Sequence, residues 1–300
     1  MWIFLFVSFL EMVSGADWCY QSQVSCNSSC SGPDEWGVIF PQCGGRSQSP
    51  VNIVTGNVVA DQRLTPLHLV GYQGAFQGNL SNNGHTAQMD LPAGMQIKGG
   101  NLPGTYKALQ LHFHWGGDGG PGSEHTIDGE RYPMEMHLVH IKEQYSSLSR
   151  AVSEPAGVAV LGFFFQESNS ANKKFDALIK ALRRIPRPSN KTTVRGISLQ
   201  MFLPAPADMS RYFRYDGSLT TPDCAQAVVW TLFEKAVPLS RQQLSAFSQL
   251  AFSSGRPMVN TFRPVQPRNG RRVSRSGGPA AASPGPALGL LLLPLLLLLH

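Results

Sequence analysis

The segment Leu109-Gln110-Leu111-His112-Phe113-His114-Trp115 alternates apolar and polar side chains. That period of two predicts a β-strand, with Leu109, Leu111, Phe113 and Trp115 on one face and Gln110, His112 and His114 on the other. A second alternating run, Met134-Glu135-Met136-His137-Leu138-Val139-His140, sets Glu135, His137 and Val139 against Met136, Leu138 and His140. Further strands are expected over 67–72, 85–91, 157–165 and 226–233. Helical spacing is sparse. It covers 172–185, which Pro186 and Pro188 stop, and 240–250, where Ser240 and Gln243 form a capping-box pattern. Many short strands, few helices and Gly/Pro-rich connections predict a mostly β (α+β) single domain around a large sheet. No repeat and no Ser/Gly linker divides residues 17–265.

The two ends follow another pattern. Residues 1–15 form an apolar run closing on Val13, Ser14 and Gly15. This reads as a secretory signal peptide that leaves Ala16 as the new terminus, the other reading being a buried N-terminal strand. Ala287 to Leu299 is almost pure Leu and is short for a membrane span, which needs about 20 residues. Ser276, Gly277 and Gly278 precede it, followed by a spacer of Pro, Ala, Ser and Gly. Small site, short spacer and apolar end predict a GPI lipid anchor at Ser276, with 277–300 removed as a propeptide. Pro294 and the short apolar run weigh against the alternative, a tail-anchor helix. Residues 16–276 are then the functional domain with a basic C-terminal stem.

Composition and charge narrow the class. Hydrophobic residues at 42% against 15% charged exclude a disordered chain. The net charge of +6 gathers near the end, in Arg263, Arg268, Arg271, Arg272 and Arg275. Beside an apolar terminus this predicts an anionic membrane surface. No nucleic-acid motif accompanies it, so no nucleic-acid partner is expected. Of the five cysteines, Cys19, Cys26, Cys30 and Cys43 crowd together and Cys224 lies far away. In an oxidising compartment that reads as one local bridge, one long staple and one leftover thiol. A Cys-rich zinc site would need close pairs at both ends. Sequons at Asn27, Asn79 and Asn190 are glycosylation candidates on a secretory route.

The histidines carry the candidate chemistry. Two imidazoles two residues apart on a strand point the same way and form a ready pair of ligands. If the second strand pairs beside the first, His137 becomes a third ligand. Glu135 can then accept its other ring N–H, the usual support of a zinc-bound histidine. Three histidines and no fourth protein ligand leave one tetrahedral position for water, the mark of a catalytic zinc site. On spacing alone, histidines of a core or surface compete with this reading.

Several motifs together resemble the α-class carbonic anhydrases. These are Gln-Leu-His-Phe-His-Trp-Gly (110–116), Gly-Ser-Glu-His-Thr (122–126) and Met-Glu-Met-His-Leu-Val-His (134–140), with Gln-Ser-Pro-Val-Asn-Ile (48–53), Asn-Asn-Gly-His-Thr (82–86), Gly-Ser-Leu-Thr-Thr-Pro (217–222), Val-Val-Trp-Thr (228–231), Asn260 and Arg263-Pro264. They run in order from about Trp18 to Pro267. The cysteines, sequons and apolar C-terminus resemble the membrane-anchored members. The resemblance implies a twisted, mostly antiparallel ten-stranded sheet and a Zn2+ enzyme that hydrates carbon dioxide reversibly to bicarbonate at the outer cell surface. Bicarbonate or proton transporters are implied as neighbours.

The resemblance also implies roles. His112, His114 and His137 match the zinc ligands. Thr220 matches the residue that orients the attacking oxygen and hands its own hydroxyl proton to Glu124. Gln110, Glu135 and the Asn260 carbonyl match the partners of His112, His137 and His114. Val139, Val160, Leu219, Val228 and Trp230 match the apolar wall for carbon dioxide, and Thr221 lines the bicarbonate side. His85 matches the proton shuttle, with Tyr20, Asn83 and Gln88 ordering its water path. Cys43 with Cys224 matches the long staple bracing the Thr220 loop. Cys19 matches half of the local bridge, with Cys30 as partner and Cys26 next in line. Members of this fold that have lost ligands act as binding domains. Here the full ligand set favours catalysis, with ester hydrolysis at the same zinc as a side activity.

Overall fold

In the computed structural model, the residues described are 18–24 and 30–277. The expected signal peptide, Cys26, Asn27 and the apolar C-terminus lie outside them. The strands among the described residues begin with β1 (Asn52–Ile53), β2 (Val59–Asp61), β3 (Leu67–Val70), β4 (Phe76–Asn82) and β5 (Ala87–Asp90). They continue with β6 (Gln96–Gly99), β7 (Tyr106–Trp115), β8 (Thr126–Ile127), β9 (Glu130–Arg131) and β10 (Met134–Lys142). The last are β11 (Val158–Ser168), β12 (Lys191–Ile197), β13 (Tyr212–Gly217), β14 (Val228–Ser240) and β15 (Ser274–Ser276). One sheet of twelve strands runs β12-β4-β5-β7-β10-β11-β14-β13-β15-β2, with β6 beside β7 and β3 beside β6. The main path thus has the ten strands the resemblance implies, and two side strands enlarge it. Pairing is antiparallel except between β11 and β14 and between β15 and β2. A small second sheet joins β1, β8 and β9.

The expected elements form with trimmed ends, for local reasons. The first expected strand ends at Val70, because Gly71 turns the chain with φ +77. The 85–91 strand starts only at Ala87. Asn83 Oδ1 accepts the N–H groups of His85 and Thr86, and Gly84 sits at φ +93, closing a turn instead. The 172–185 segment becomes a 3-10 turn, Lys173–Phe175, and a helix, Asp176–Leu182. Near Pro186 the helical conformation is disfavoured for the preceding residue. Ser240 and Gln243 do form the capping box, but the helix they start is only Arg241–Ser245, followed by a 3-10 turn at Phe247–Gln249.

The sheet is covered on both faces. Leu111, Phe113, Trp115, Met136, Leu138, Leu161 and Phe163 belong to one buried cluster. Val139, Val160, Phe164, Tyr215, Val228 and Trp230 belong to the other. Leu109 departs from its expected face. Opposite it, Val139 pairs with Gln110 but His140 pairs with Ala108, so Leu109 is the extra residue of a bulge and joins the Val139 cluster. An extra residue shifts the period-two alternation by one. The bulge lets the histidine end of β7 keep its phase while the other end is rephased.

His140 faces the larger cluster, fully buried, with Nε2 on the Tyr72 hydroxyl and Nδ1 on the Ala159 carbonyl. Burial lowers its pKa from 6.5 to about 4. Above pH 6.5 the ring is neutral folded or unfolded and contributes nothing pH-dependent. Between 6.5 and about 4 the unfolded chain takes up a proton that the folded one refuses, so stability falls as pH falls. The total loss is about 3 kcal/mol, at roughly 1.4 kcal/mol per unit. Urea unfolding of metal-free protein should show at least this slope from pH 6.5 to 4, since His112 and His114, also lowered by burial, add to it, and His140→Gln should reduce the total loss by about 3 kcal/mol. An equal slope in the variant would assign the acid loss elsewhere.

Candidate metal centre and active site

Adjacent strands deliver the three histidines. In the antiparallel β7–β10 pair His137 lies directly opposite His112, while His114 follows two residues along β7 on the same face. Ring centroids are 5.0 Å apart for His112 and His114, 5.1 Å for His112 and His137, and 4.6 Å for His114 and His137. One nitrogen from each ring falls within 4.8 Å of the others, a group able to hold a metal ion. His137 Nδ1 and His112 Nε2 are 3.3 Å apart. Two nitrogens on a tetrahedral zinc, each about 2.0–2.1 Å from it, are separated by roughly 3.3–3.4 Å. His114 Nε2 is buried without a hydrogen-bond partner.

The opposite nitrogens are all engaged. His112 Nδ1 meets Gln110 Oε1 at 2.9 Å, and His137 Nε2 meets Glu135 Oε1 at 2.7 Å. These are the partners expected. His114 Nδ1 instead meets the carbonyl of Thr261 at 2.6 Å, where Asn260 was expected. Asn260 has φ +53, and that left-handed turn presents the next residue's carbonyl to the ring. Burial, followed by the nearness of the other rings, holds His112 well below the ordinary imidazole pKa. Burial lowers His114 too, against the pull of Glu124. Both rings are therefore kept neutral, the form that binds a metal. The donor set fits zinc in nitrogen type, separation and orientation.

A second overlapping group, His125, Glu135 and His137, is a hydrogen-bond network rather than a metal site. Glu135 is fully buried and its carboxylate is saturated. Oε1 accepts from His125 Nδ1 and His137 Nε2, and Oε2 accepts the backbone N–H groups of Glu124 and His125. Burial alone would raise its pKa, but attraction to His125 and His137 with these hydrogen bonds outweighs that and holds it well below the carboxylate range. With His125 Nδ1 donating, a neutral ring accepts at Nε2 from the Tyr215 hydroxyl, 2.6 Å away. Tyr215 in turn accepts from Ser49 Oγ at 2.8 Å, which itself takes the Ser218 N–H. Burial raises the Tyr215 pKa far above neutral, so this hydroxyl stays a donor.

Glu124 is completely buried. Its Oε1 accepts the Arg263 N–H at 2.8 Å, and its Oε2 stands 3.4 Å from His114 Nε2 with no hydrogen-bond partner. The expected bond from Thr220 is not made among the described residues: Oε1 takes the Arg263 N–H and Oε2 faces His114. Thr220 itself is buried in the β13–β14 connection. That connection is tied down by Leu219 N to Ala225 O, Cys224 N to Thr221 O, and the Cys43–Cys224 disulfide. Thr221 is half-buried beside it. Arg263 Nη1 donates to Gln48 Oε1 and the Ser49 carbonyl, and Nη2 donates to the Cys43 carbonyl.

The apolar wall forms by register. Val139 pairs with Val160, and Val160 with Trp230, so three neighbouring strands line up their side chains beside His137. Val228 belongs to the same cluster, with Leu219 packed against it. Trp230 sits 4.8 Å from the His137 ring, and its Nε1 donates to the Ser218 carbonyl. His85 stacks flat on Trp18 at 3.8 Å, with Tyr20 6.5 Å away. Tyr20 is buried; Asn83 is exposed and its Nδ2 donates weakly to Gln88 Oε1 at 3.4 Å. Gln88 pairs with His112 across β5 and β7.

Cys19 is bonded to Cys30, and the local bridge and long staple both form. Asn79 is exposed on β4 and Asn190 half-exposed beside it. Ser276 lies buried at the end of β15, its Oγ donating to the Ser210 carbonyl and accepting the Tyr212 N–H. Among the described residues no helix is long and apolar enough to cross a membrane. Sequence reasoning missed His125, Tyr215, Ser49 and Thr261. His125 stands next to Glu124 in a motif, but its partner Tyr215 is 90 residues away and no local spacing announces it.

Comparison with known proteins agrees with this geometry. A family model described as eukaryotic-type carbonic anhydrase matches residues 31–277. The chain is 40% identical to carbonic anhydrase 4 of Rattus norvegicus over 263 residues, 86% of this chain and 84% of that protein. It is 40% identical to carbonic anhydrase 15 of Mus musculus over 291 residues, 91% of this chain and 87% of that one. Carbonic anhydrase 12 of Homo sapiens is 35% identical over 292 residues, covering 93% and 79%.

Proposed function

Since this chain belongs to the eukaryotic-type carbonic anhydrase family and is by that membership a carbonate dehydratase, we propose that it works as a zinc enzyme on the outer cell surface, with the metal held by His112, His114 and His137. The observation that carries this is the convergence of three ring nitrogens whose opposite nitrogens are all engaged. When bound, zinc supplies a water acidic enough to act as nucleophile near neutral pH, chemistry for which carbonic anhydrases are the reference case.

The chain's own residues do the rest. Gln110, Thr261 and Glu135 hold each ring in the tautomer that presents the correct nitrogen. Val139, Val160, Leu219, Val228 and Trp230 form a dry surface beside His137, suited to a small apolar molecule such as carbon dioxide. Thr220 and Thr221 stand on the braced loop to orient substrate and bicarbonate, and Glu124 supplies a fixed acceptor charge next to His114. His85, on its Trp18 platform, carries the released proton to solvent, with Tyr20, Asn83 and Gln88 along the way. Two disulfides support passage through the secretory pathway. A GPI lipid at Ser276 would then hold the enzyme at the membrane, near bicarbonate or proton transporters.

Stopped-flow carbon dioxide hydration, with zinc measured on the same sample, tests this. The expected result is about one zinc per chain and fast hydration that a chelator abolishes. Full zinc without hydration would remove Thr220 and Glu124 from their roles. Folded protein that binds no zinc would leave a binding domain.

A further inference from the structure

Arg131 stands apart from the catalytic list yet touches both segments that hold the site together. It lies on β9 in the short hairpin after Glu124. Its Nη1 donates to the carbonyls of Ser123 and Glu124, and its guanidinium carbon sits 4.1 Å above the ring of Phe262. Phe262 is flanked by two residues of an irregular segment that touch the site. Thr261 gives the carbonyl that orients His114, and Arg263 gives the N–H that holds Glu124. The guanidinium thus joins the 123–124 segment to the 261–263 segment.

From this juxtaposition we propose that Arg131 is a positioning residue, a clamp that sets the spacing between Glu124 and His114. The inference rests on the proposed zinc site. The chemistry is specific to arginine. A planar guanidinium donates in its plane to carbonyls while its face lies on an aromatic ring; a lysine ammonium cannot do both in this geometry. Among the described residues no carboxylate pairs directly with Arg131, and its hydrogen bonds go to the two carbonyls. Burial lowers its pKa, opposed by Glu124 and Glu135, yet arginine stays charged at neutral pH. Small displacements of a catalytic group can cost a hundredfold in rate, and loss of a ligand's orienting partner 10- to 100-fold in metal affinity.

The test uses Arg131→Met and Arg131→Lys in the full zinc-loaded protein, with Glu130→Gln as a neighbouring control. Two readouts are taken: hydration rate per bound zinc, and the rate of zinc loss to a chelator. Melting temperature is followed alongside. Both Arg131 variants are expected to hydrate carbon dioxide about tenfold more slowly per zinc and to release zinc about tenfold faster. The control should match wild type. A change in rate alone assigns the clamp to Glu124, and a change in release alone assigns it to Thr261 and His114. Wild-type values in both readouts overturn the proposal, as do losses that merely follow the unfolded fraction or that Arg131→Lys fully restores. If the wild-type protein binds zinc but never hydrates carbon dioxide, the functional reading fails, while zinc release still decides the role of Arg131.

Discussion

Replacing His112 by alanine is expected to remove zinc and, with it, hydration. The choice of His112 is deliberate. His114 and His137 each have a buried carboxylate at close range, whereas His112 contributes a ring nitrogen and little else. Two overlapping groups bring three donor atoms together, and only one contains His112. In the other, the contacts of His125 and His137 with Glu135 are 2.7 Å, hydrogen-bond distance, and shorter than the roughly 3.3 Å between two donors on one zinc. Loss of a ligand's partner costs 10- to 100-fold in affinity, so loss of the ligand itself should exceed that, by about a thousandfold or more. His112 is half-buried, and its ring is not part of the hydrophobic clusters. The fold should therefore survive with a melting temperature close to wild type in the metal-free state. Zinc content after dialysis and stopped-flow hydration are the measurements. A variant that keeps one zinc and most of its activity would place the metal at His125, Glu135 and His137 instead.

Much of the site was legible because it lies on two strands whose alternation is local. Gln110, His112 and His114 share a face by parity alone, as do Glu135, His137 and Val139. The pairing that brings His137 opposite His112 needs the sheet, but the sequence limits it to a few registers. What spacing could not supply is everything reached across the chain. Thr261 meets His114 over 147 residues, and Arg263 meets Glu124 over 139. The shift from Asn260 to Thr261 turns on one left-handed residue, which a motif anchored at Arg263-Pro264 does not reveal. The bulge at Leu109 is of the same kind: pattern continued through it predicts the wrong face for one residue. Strands such as β13 and β15 escaped notice because neither shows clean alternation. Tyr212 through Tyr215 are all buried, as expected where both faces of a sheet are covered.

Cutting the long staple should cost more stability than any other single change outside the metal site. Cys43 and Cys224 are 181 residues apart, both fully or nearly fully buried. Closing a loop of that length removes about 5 kcal/mol of chain entropy from the unfolded state, at the top of the usual range. The native side is well supported. The Cys43 carbonyl accepts from Arg263 Nη2, and the Cys224 carbonyl accepts from Gln48 Nε2. Gln48 Oε1 in turn takes Arg263 Nη1, and Arg263 N–H holds Glu124. The disulfide therefore joins the Thr220 loop to the same arginine whose N–H holds Glu124. Cys43→Ser with Cys224→Ser is expected to lower the melting temperature by about 10–20 °C, since each kcal/mol shifts a domain of this size by about 2–4 °C. Below that new midpoint the carbon dioxide rate per zinc should fall as well, because the loop loses its brace while the histidines keep theirs on the strands. Thermal melts and rates at 10 °C separate the two effects. An unchanged melting temperature would mean that the unfolded chain is already compact. A full rate at low temperature would show that Arg263 and Gln48 hold the loop without the bridge.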